Sequence, residues 1–182
     1  LASIKDIRAL VIKISDRMHN MLTLDALPPH KQKRIAEETL MVYAPIAHRL
    51  GISSLKNELE DRSFFYIFPK DYQKIDSYIR ENNQSITLKL NEFTQKITTI
   101  LLQNGFTQKD FSIESRVKRY YSIFLKMQRK GVSIDEILDL LAIRIIMPTN
   151  LECYKVLGLL HLQLKPVISR LKDYIAIPKE NG

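Results

Sequence analysis

The sequence has a single cysteine, Cys153, among 182 residues. A lone cysteine cannot form a disulfide within the chain, which excludes disulfide-stapled domains and favours a reducing compartment. No stretch approaches the roughly 20 apolar residues of a membrane-spanning helix, and the N-terminus lacks the basic-then-apolar layout of a signal peptide. Internal repeats, low-complexity tracts and Gly/Ser-rich linkers are also missing. We therefore expect a soluble, cytoplasmic protein.

Acidic residues are outnumbered, with 20 Asp and Glu against 28 Lys and Arg, so the formal net charge is +8. A basic balance of this size favours polyanionic partners such as nucleic acid, nucleotide polyphosphates or an anionic membrane surface, and composition does not choose among them. The length suits one large or two small domains. Because the chain begins at Leu1 rather than Met and stops at Gly182, we expect a piece of a longer protein.

Apolar residues recur at helical spacing through most of the first 104 residues. The predicted helices cover residues 4–24, about 30–50, a segment opened by Ser53 and Ser54, and 72–104. Gly51 and Gly105 are the predicted stops, since glycine best adopts the left-handed conformation that ends a helix.

After residue 105 the pattern changes. Residues 111–118 alternate apolar and polar side chains and residues 143–147 form a β-branched run, so both are predicted strands. Helical stretches lie between and after them, at 120–130, 134–138 and 151–164. We therefore predict an α+β chain: an all-helical N-terminal part, a boundary near residue 105, then a partial α/β domain with a mixed sheet.

Residues 115–130 contain six basic side chains and no acidic one. On a strand, Arg116 and Lys118 would point to the same face, and on the following helix Ser122 and Lys126 would share a face. A strand end that leads into a helix N-terminus, with cations on both, can bind phosphates. A solvated basic face is the alternative.

Asp139 interrupts an almost wholly apolar stretch, residues 137–146, together with Arg144. A buried carboxylate costs several kcal/mol unless it is paired or bound to a metal. Two interpretations stay open: a salt bridge from Asp139 to Arg144 or Lys118, and Mg²⁺ that bridges Asp139 to polyphosphate oxygens.

Asp16, Asn20 and Thr23 are spaced so that one face of a helix carries all three. Polar residues aligned in this way indicate the edge of a site, although one Asp is not a metal site by itself. His19 lies off that face, and we predict an ordinary packed histidine.

Four stretches, in order along the chain, resemble the bifunctional RelA/SpoT enzymes, which make and destroy the alarmones ppGpp and pppGpp in the stringent response. They are KISDRMHNM at 13–21, YAPIAHRLG at 43–51, the basic segment 116–131, and RLKDYIAIPK at 170–179. The resemblance implies that residues 1–50 are the last helices of an HD-type hydrolase domain and 51–104 a helical connector. Residues 105–182 would be the first half of a nucleotidyltransferase-like synthetase.

The synthetase of this family is a GTP pyrophosphokinase, which moves a pyrophosphate from ATP to the 3′-hydroxyl of GDP or GTP. The resemblance implies that Arg116 and Arg144 sandwich the adenine, and that Asp139 is the catalytic residue that binds Mg²⁺. The residues implied to face phosphates are Lys118, Ser122 and Lys126 for ATP, and Lys172 and Lys179 for the phosphates and acceptor nucleotide.

On the hydrolase side, Asp16 matches the last ligand of a Mn²⁺ site, and Asn20 and Thr23 match residues that line the nucleotide pocket. Leu22 stands where the family usually has Arg, so hydrolysis by the parent is less firmly implied. The basic loop at 170–173 matches members that carry both activities. The remaining metal ligands would precede Leu1, and an acceptor-stacking Tyr and a later Glu would follow Gly182. We therefore expect this chain alone neither to hydrolyse nor to make ppGpp efficiently.

The implied partners are ATP, GDP or GTP, and ppGpp. Ribosome binding by the parent would rest on regions outside this sequence, and neither membrane binding nor direct DNA binding is expected. Two other functions stay open. The charge permits a basic helical module that binds nucleic acid non-specifically, and Leu22 permits a catalytically dead regulatory homologue.

Overall fold

A computed structural model of the chain describes residues 6–137 and 140–178. The helices are α1 (Ile7–Leu22), α2 (Pro29–Glu38), α3 (Ala44–Arg49), α4 (Ser53–Ile67), α5 (Pro69–Glu81), α6 (Asn83–Gln103), α7 (Tyr120–Lys130) and α8 (Asn150–Gln163); the strands are β1 (Ser112–Val117) and β2 (Leu141–Ile146). Short 3₁₀ turns occupy Leu24–Ala26, Ile134–Glu136 and Ile168–Arg170. The predicted α+β class is confirmed. Among the described residues, no helix is both long and apolar enough to cross a membrane.

The predicted helix at 30–50 is interrupted by a π-helical turn, Thr39–Tyr43, that joins α2 to α3. Pro45 in the first turn of α3 has no N–H and its ring collides with the carbonyl four residues earlier, so the regular hydrogen-bond pattern cannot continue. The N–H of Ala44 bonds instead to the carbonyl of Thr39, five residues back. Gly51 follows α3 with φ of 74°, as its predicted role as a stop requires.

The prediction of one long helix over 72–104 is wrong. The segment is two helices, α5 and α6, which part at Asn82. Asn82 leaves the helical region with ψ of 6°, and its side-chain amide donates to the carbonyl of Tyr78 at 2.8 Å. A side chain that bonds its own backbone competes with helix propagation, and apolar periodicity carries no sign of that competition. The stop at Gly105 is confirmed, with φ of 88°.

Strands β1 and β2 pair antiparallel, from Ser112 opposite Ile146 to Val117 opposite Leu141. The sheet that the described residues form is therefore antiparallel and two-stranded, and the predicted mixed sheet is not found among them. Within the predicted helix at 134–138, the described residues form a 3₁₀ turn over Ile134–Glu136, which Ser133 and Glu136 close as a reciprocal capping box.

The chain forms two compact units. The first comprises the described residues of Leu1–Asn82 and Lys118–Leu140, and the second those of Asn83–Val117 and Leu141–Gly182. Neither unit ends near residue 105. The assignment of residues 1–50, 51–104 and 105–182 to hydrolase end, connector and synthetase half concerns family domains, and it stays a prediction.

Helix α4 contributes to both apolar clusters of the first unit. Its Leu59 is buried with side chains of α1, α2 and α3, including Ile14. Five residues later its Phe64 is buried with α5 and α7, against Ile75 and Phe124. The first unit therefore depends on α4 for the contact between its N-terminal helices and α7.

In the second unit, one face of the hairpin packs on helices α6 and α8. Ile113 of β1 and Ile143 and Ile145 of β2 contact the buried Leu101 of α6 and Val156 of α8. Because side chains alternate along a strand, the residues between these isoleucines lie on the other, open face.

Replacing Phe64 with Ala removes the side chain at the centre of the second cluster of the first unit. Phe64 is fully buried, with its ring 4.7 Å from that of Phe124. We expect the free energy of unfolding to fall by about 3–5 kcal/mol, measured by urea denaturation. Phe65→Ala is the matched control, because Phe65 is 45% exposed and its edge contact with Tyr72 accounts for about 1 kcal/mol. Equal losses in the two variants would contradict the burial of Phe64.

Candidate functional site

The first turn of α7 has no cap from its own chain segment, because the preceding residue is Arg119, whose side chain accepts no hydrogen bond. Asp61 on α4 supplies the acceptor: its Oδ1 accepts the N–H of Tyr121 at 3.0 Å. Only 18% of the Asp61 side chain is exposed. Burial raises the pKa of the Asp61 carboxyl above its usual value, against the lowering effects of the Tyr121 N–H and the Arg119 charge. Helix α4 thus fixes where α7 begins.

Arg119 is directed toward α4. Its Nη1 lies 3.5 Å from Oδ2 of Asp61 and 3.6 Å from Oε2 of Glu58. Glu58 also accepts from Nε of Arg62, one turn along α4, at 2.9 Å. One of the six cations of residues 115–130 therefore pairs with carboxylates of α4. Such a pairing belongs neither to a phosphate-binding cluster nor to a solvated basic face, the two interpretations of this segment.

Tyr120 ties the start of α7 to α5. Its hydroxyl donates to Oδ1 of Asp76 at 3.0 Å, and its ring lies 5.2 Å from that of Tyr72. Asp76 is held in turn by Nε of Arg80 at 2.8 Å. Burial, followed by the hydrogen bond to Asp76, raises the pKa of Tyr120 to about 12.

Two predicted site residues lie on α7. Ser122 and Lys126 are half-buried and, four residues apart, share a face of the helix. The apolar side of α7, with Ile123, Phe124 and Met127, is buried in the cluster around Phe64. The burial of this apolar side fixes the rotation of α7 about its axis, and with it the direction of the face that carries Ser122.

Lys118 lies just beyond the end of β1. Its backbone N–H donates to the carbonyl of Leu140 at 2.8 Å, next to the start of β2. Asp139 lies outside the described residues, so its predicted roles as an ion-pair partner or a Mg²⁺ ligand stay predictions.

The open face of the hairpin carries two further predicted residues, Arg116 and Arg144. Glu114 pairs directly with Arg144 in the register, and Arg116 is two residues along from Glu114, so all three share this face. Nη1 of Arg144 lies 3.5 Å from Oε2 of Glu114, and both side chains are more than half exposed. The backbone positions of diagonal neighbours across a strand pair are about 7–8 Å apart. Two guanidinium planes need a similar separation to enclose one aromatic ring.

Lys172 lies in the segment after β2 and α8 and is exposed. The next residue, Asp173, accepts the backbone N–H groups of Ile175 and Ala176 at 3.0 and 2.9 Å, and the hydroxyl of Tyr154 on α8 at 3.0 Å. The bond from Ala176 is the largest reason why the pKa of Asp173 lies below its usual value. Tyr154 thus anchors the loop that carries Lys172, while Lys179 lies outside the described residues.

A cleft of about 580 Å³ lies in the first unit beside α1. Asn20 and Thr23, the two residues predicted to line a nucleotide pocket, are on its wall. The guanidinium of Arg17 is also there, 4.1 Å above the ring of Tyr43 and 3.0 Å from Oε2 of Glu38. The remaining lining residues are Leu24, Ala26, Leu27 and Ile35.

Comparison with known proteins finds two family matches along the chain. Residues 115–182 match the region found in RelA and SpoT proteins, and residues 1–53 match an HD domain. A guanosine-3′,5′-bis(diphosphate) 3′-pyrophosphohydrolase of Aquifex aeolicus is 41% identical over 182 residues, 100% of this chain. The chain belongs to the RelA/SpoT family.

Other relatives in the RelA/SpoT family carry different names. A GTP pyrophosphokinase of Myxococcus xanthus is 42% identical over 181 residues, and the bifunctional (p)ppGpp synthase/hydrolase SpoT of Escherichia coli K12 is 40% identical over 182 residues. Each match covers 100% of this chain but only 24% to 26% of the relative. The chain thus spans about a quarter of the length of the curated relatives it matches.

The residues that the RelA/SpoT resemblance assigns to Mn²⁺ do not form a metal site in the described part of the chain. Asp16 is exposed, and its Oδ2 accepts a hydrogen bond from Nδ2 of Asn20 at 3.4 Å. Across residues 6–137 and 140–178, no three His, Cys, Asp or Glu side chains gather where they could hold an ion. His19 is exposed in the last turn of α1, so the prediction of a packed histidine is wrong.

Several residues of this site were not predicted from the sequence. Asp61 and Asp76 precede their partners in α7 by 60 and 44 residues, and no spacing rule marks contacts at such a separation. Arg17 lies between Asp16 and Asn20 in the sequence but does not share their predicted face, so the spacing does not mark it. Its position over Tyr43 depends on the π turn, which we did not predict.

Tyr120→Phe tests the bond to Asp76 through its pH dependence. The folded pKa of Tyr120, about 12, lies above the usual 10.0, so folding favours the neutral phenol. This contribution to stability is fully present below pH 10 and is lost as the pH rises toward 12. We expect the unfolding free energy of the native chain to fall relative to that of Tyr120→Phe across this window.

Tyr121→Phe is the comparison, because Tyr121 packs on Phe64 in the same cluster and burial, without a hydrogen bond to a carboxylate among the described residues, raises the pKa of its hydroxyl. A larger pH effect at Tyr120 than at Tyr121 is therefore expected from the bond to Asp76. Denaturant titrations at pH 9 to 12 give the measurement. If the native chain and Tyr120→Phe lose stability in parallel, neither burial nor the bond to Asp76 keeps the phenol of Tyr120 neutral.

Proposed function

We propose that the protein to which this chain belongs metabolises guanosine polyphosphates. It transfers a pyrophosphate group from ATP to the 3′-hydroxyl of GDP or GTP, and it hydrolyses ppGpp at a second site. The observation that carries the proposal is the open hairpin face, where Arg116 and Arg144 lie together within the region that matches RelA and SpoT proteins. Relatives named as GTP pyrophosphokinase and as pyrophosphohydrolase support the two activities.

The hairpin arginines have the role of binding adenine. Guanidinium planes stack on aromatic bases, and a base held between two of them is fixed in orientation without being read by hydrogen bonds. Glu114 keeps Arg144 on this face before nucleotide binds. Because all three side chains are solvent-exposed, the ion pair is weak and Arg144 is free to turn onto a base.

Lys118, Ser122 and Lys126 have the role of binding the ATP phosphates, and Lys172 that of facing the acceptor nucleotide. In the transfer, the 3′-hydroxyl oxygen of GDP or GTP attacks the β-phosphorus of ATP and its proton passes to solvent, the bond from the β-phosphorus to the oxygen of the α-phosphate breaks, and AMP leaves. Charge builds on the phosphate oxygens, so fixed cations lower the barrier by stabilising it. When bound, Mg²⁺ adds to this neutralisation, and Asp139 is its proposed ligand.

The cleft beside α1 is proposed as one wall of the ppGpp hydrolase pocket, with Asn20 and Thr23 as hydrogen-bonding residues. Arg17 supplies positive charge there but is already engaged by Glu38 and Tyr43. The carboxylate on the wall of this cleft, Glu38, is already paired with Arg17, and Asp16 is not among the residues that line it, so no hydrolytic step is assigned to these residues.

Binding of a fluorescent ATP analogue with Mg²⁺ tests the synthetase assignment on this chain. We expect Arg116→Ala and Arg144→Ala each to weaken binding by roughly tenfold, the loss of about 1–2 kcal/mol from one stacking contact. Arg129→Ala is the matched control, because Arg129 is an exposed cation on α7 outside the proposed site. It should leave affinity unchanged.

Equal losses in all three variants, with a steep fall in binding as salt rises, would contradict a specific adenine site. That result would favour the non-specific nucleic-acid module instead.

The expectation that this chain alone is inactive has its own test. We expect no ppGpp when the purified chain is incubated with ATP, GTP and Mg²⁺, and no loss of ppGpp when it is incubated with Mn²⁺, because the proposed residues form only part of each site. Nucleotide chromatography gives the measurement. Robust formation or loss of ppGpp would show that residues 1–182 contain a complete site.

A further inference from the structure

Asp61 is a buried carboxylate that none of the proposed nucleotide contacts uses. It lies on α4 between Leu59, which packs with the N-terminal helices, and Phe64, which packs with α7. A carboxylate with 18% of its side chain exposed costs free energy unless its interactions compensate.

The contact that distinguishes Asp61 is the hydrogen bond to the backbone of α7. The first N–H groups of a helix have no partner within the helix, and a side-chain oxygen such as that of Asp accepts from them favourably. Asp61 accepts the N–H of Tyr121 from another helix and so replaces the cap that Arg119 cannot provide. Arg119 completes the arrangement by partly neutralising Asp61 and Glu58.

Ser122 follows Tyr121 directly in the chain. If Asp61 did not accept from Tyr121, the first turn of α7 would keep the side-chain bond from Tyr120 to Asp76 but would lose its backbone acceptor and open more often. Ile123, Phe124 and Met127 would still hold the rest of the helix by burial. The change would be confined to the turn that carries Ser122. Lys126, one turn further along the helix, would be displaced less than Ser122.

We propose that Asp61 is a positioning residue for nucleotide binding: by capping α7 from α4, it fixes the turn that presents Ser122. This inference rests on the proposed function, since it assigns Ser122 to the ATP phosphates. Asp61 itself touches no nucleotide. Its effect is transmitted through the N–H of Tyr121 and the first turn of α7.

The test compares three variants of the chain. Asp61→Ala removes the acceptor, Asp61→Asn keeps an acceptor but removes the charge, and Glu81→Ala removes an exposed carboxylate at the end of α5 as the control. Two quantities are measured for each: hydrogen exchange of the backbone amides of residues 120–124, and the affinity for a fluorescent ATP analogue with Mg²⁺.

We expect Asp61→Ala to speed exchange at the first turn of α7 by roughly fivefold and to weaken ATP-analogue binding by a similar factor, the value of a lost helix cap of about 1 kcal/mol. Exchange in α1 and α6 should stay unchanged. Asp61→Asn should recover most of both effects, and Glu81→Ala should show neither. Recovery by Asn is the result that a requirement for the charge alone would not produce.

Three results would overturn the proposal: unchanged exchange at residues 120–124 in Asp61→Ala, faster exchange throughout the first unit, which indicates general destabilisation, or faster local exchange with unchanged affinity for the ATP analogue. If Asp61→Ala does not fold, Asp61→Leu, which fills the volume without an acceptor, takes its place under the same criteria. If the native chain binds no ATP analogue, the proposed function fails, whereas local exchange in the variants still decides whether Asp61 fixes α7.

Discussion

Helix α4 must bury apolar side chains in two clusters at once, and the rest of the first unit depends on that constraint. Leu59 and Phe64 are five residues apart, so they project from different sides of the helix. One side closes the N-terminal helices, and the other receives α5 and α7. Because packing occupies both faces of α4, apolar burial alone suffices to fix its position. Asp61 then lies where the N-terminus of α7 arrives, and the costs of its burial are offset by a backbone N–H and by Arg119.

The basic character of the chain divides into different roles once the contacts are known. Arg119 forms ion pairs with α4, Arg17 contacts Glu38 and Tyr43, and Arg144 pairs with Glu114. An exposed pair such as the last contributes little stability and exchanges readily with a ligand. A mostly buried guanidinium such as that of Arg17 does not. Net charge therefore indicates the class of partner, whereas the burial of each cation and its ion-pair partner decide which of them can reach a nucleotide.

Sequence patterns predicted the elements well where one local rule dominated. Helices α7 and α8 and both strands lie within a few residues of their predicted ranges, and Gly51 and Gly105 end helices as expected. The errors have local physical causes that apolar periodicity does not contain: the Asn82 side chain donates to the backbone carbonyl of Tyr78, and Pro45 forces a π turn. For the candidate site, face-sharing of Ser122 with Lys126 followed from helical spacing alone. The contacts of Asp61 and Asp76 with α7 could not be predicted, because they join residues far apart in sequence through packing.

The residues proposed to bind ATP differ in how firmly the structure holds them. Ser122 and Lys126 stand on a helix whose opposite side is buried and whose first turn is bonded to α4 and α5, so their backbone positions exist before nucleotide binds. The hairpin arginines have a fixed backbone but exposed, weakly paired side chains. Fixed cations suit phosphates, because preorganised charge stabilises a transition state without reorganisation at the moment of transfer. Mobile guanidinium planes suit a base that must enter and leave. Helix α7 thus favours a rigid phosphate contact, and the hairpin, taken by itself, favours an adaptable contact for the base.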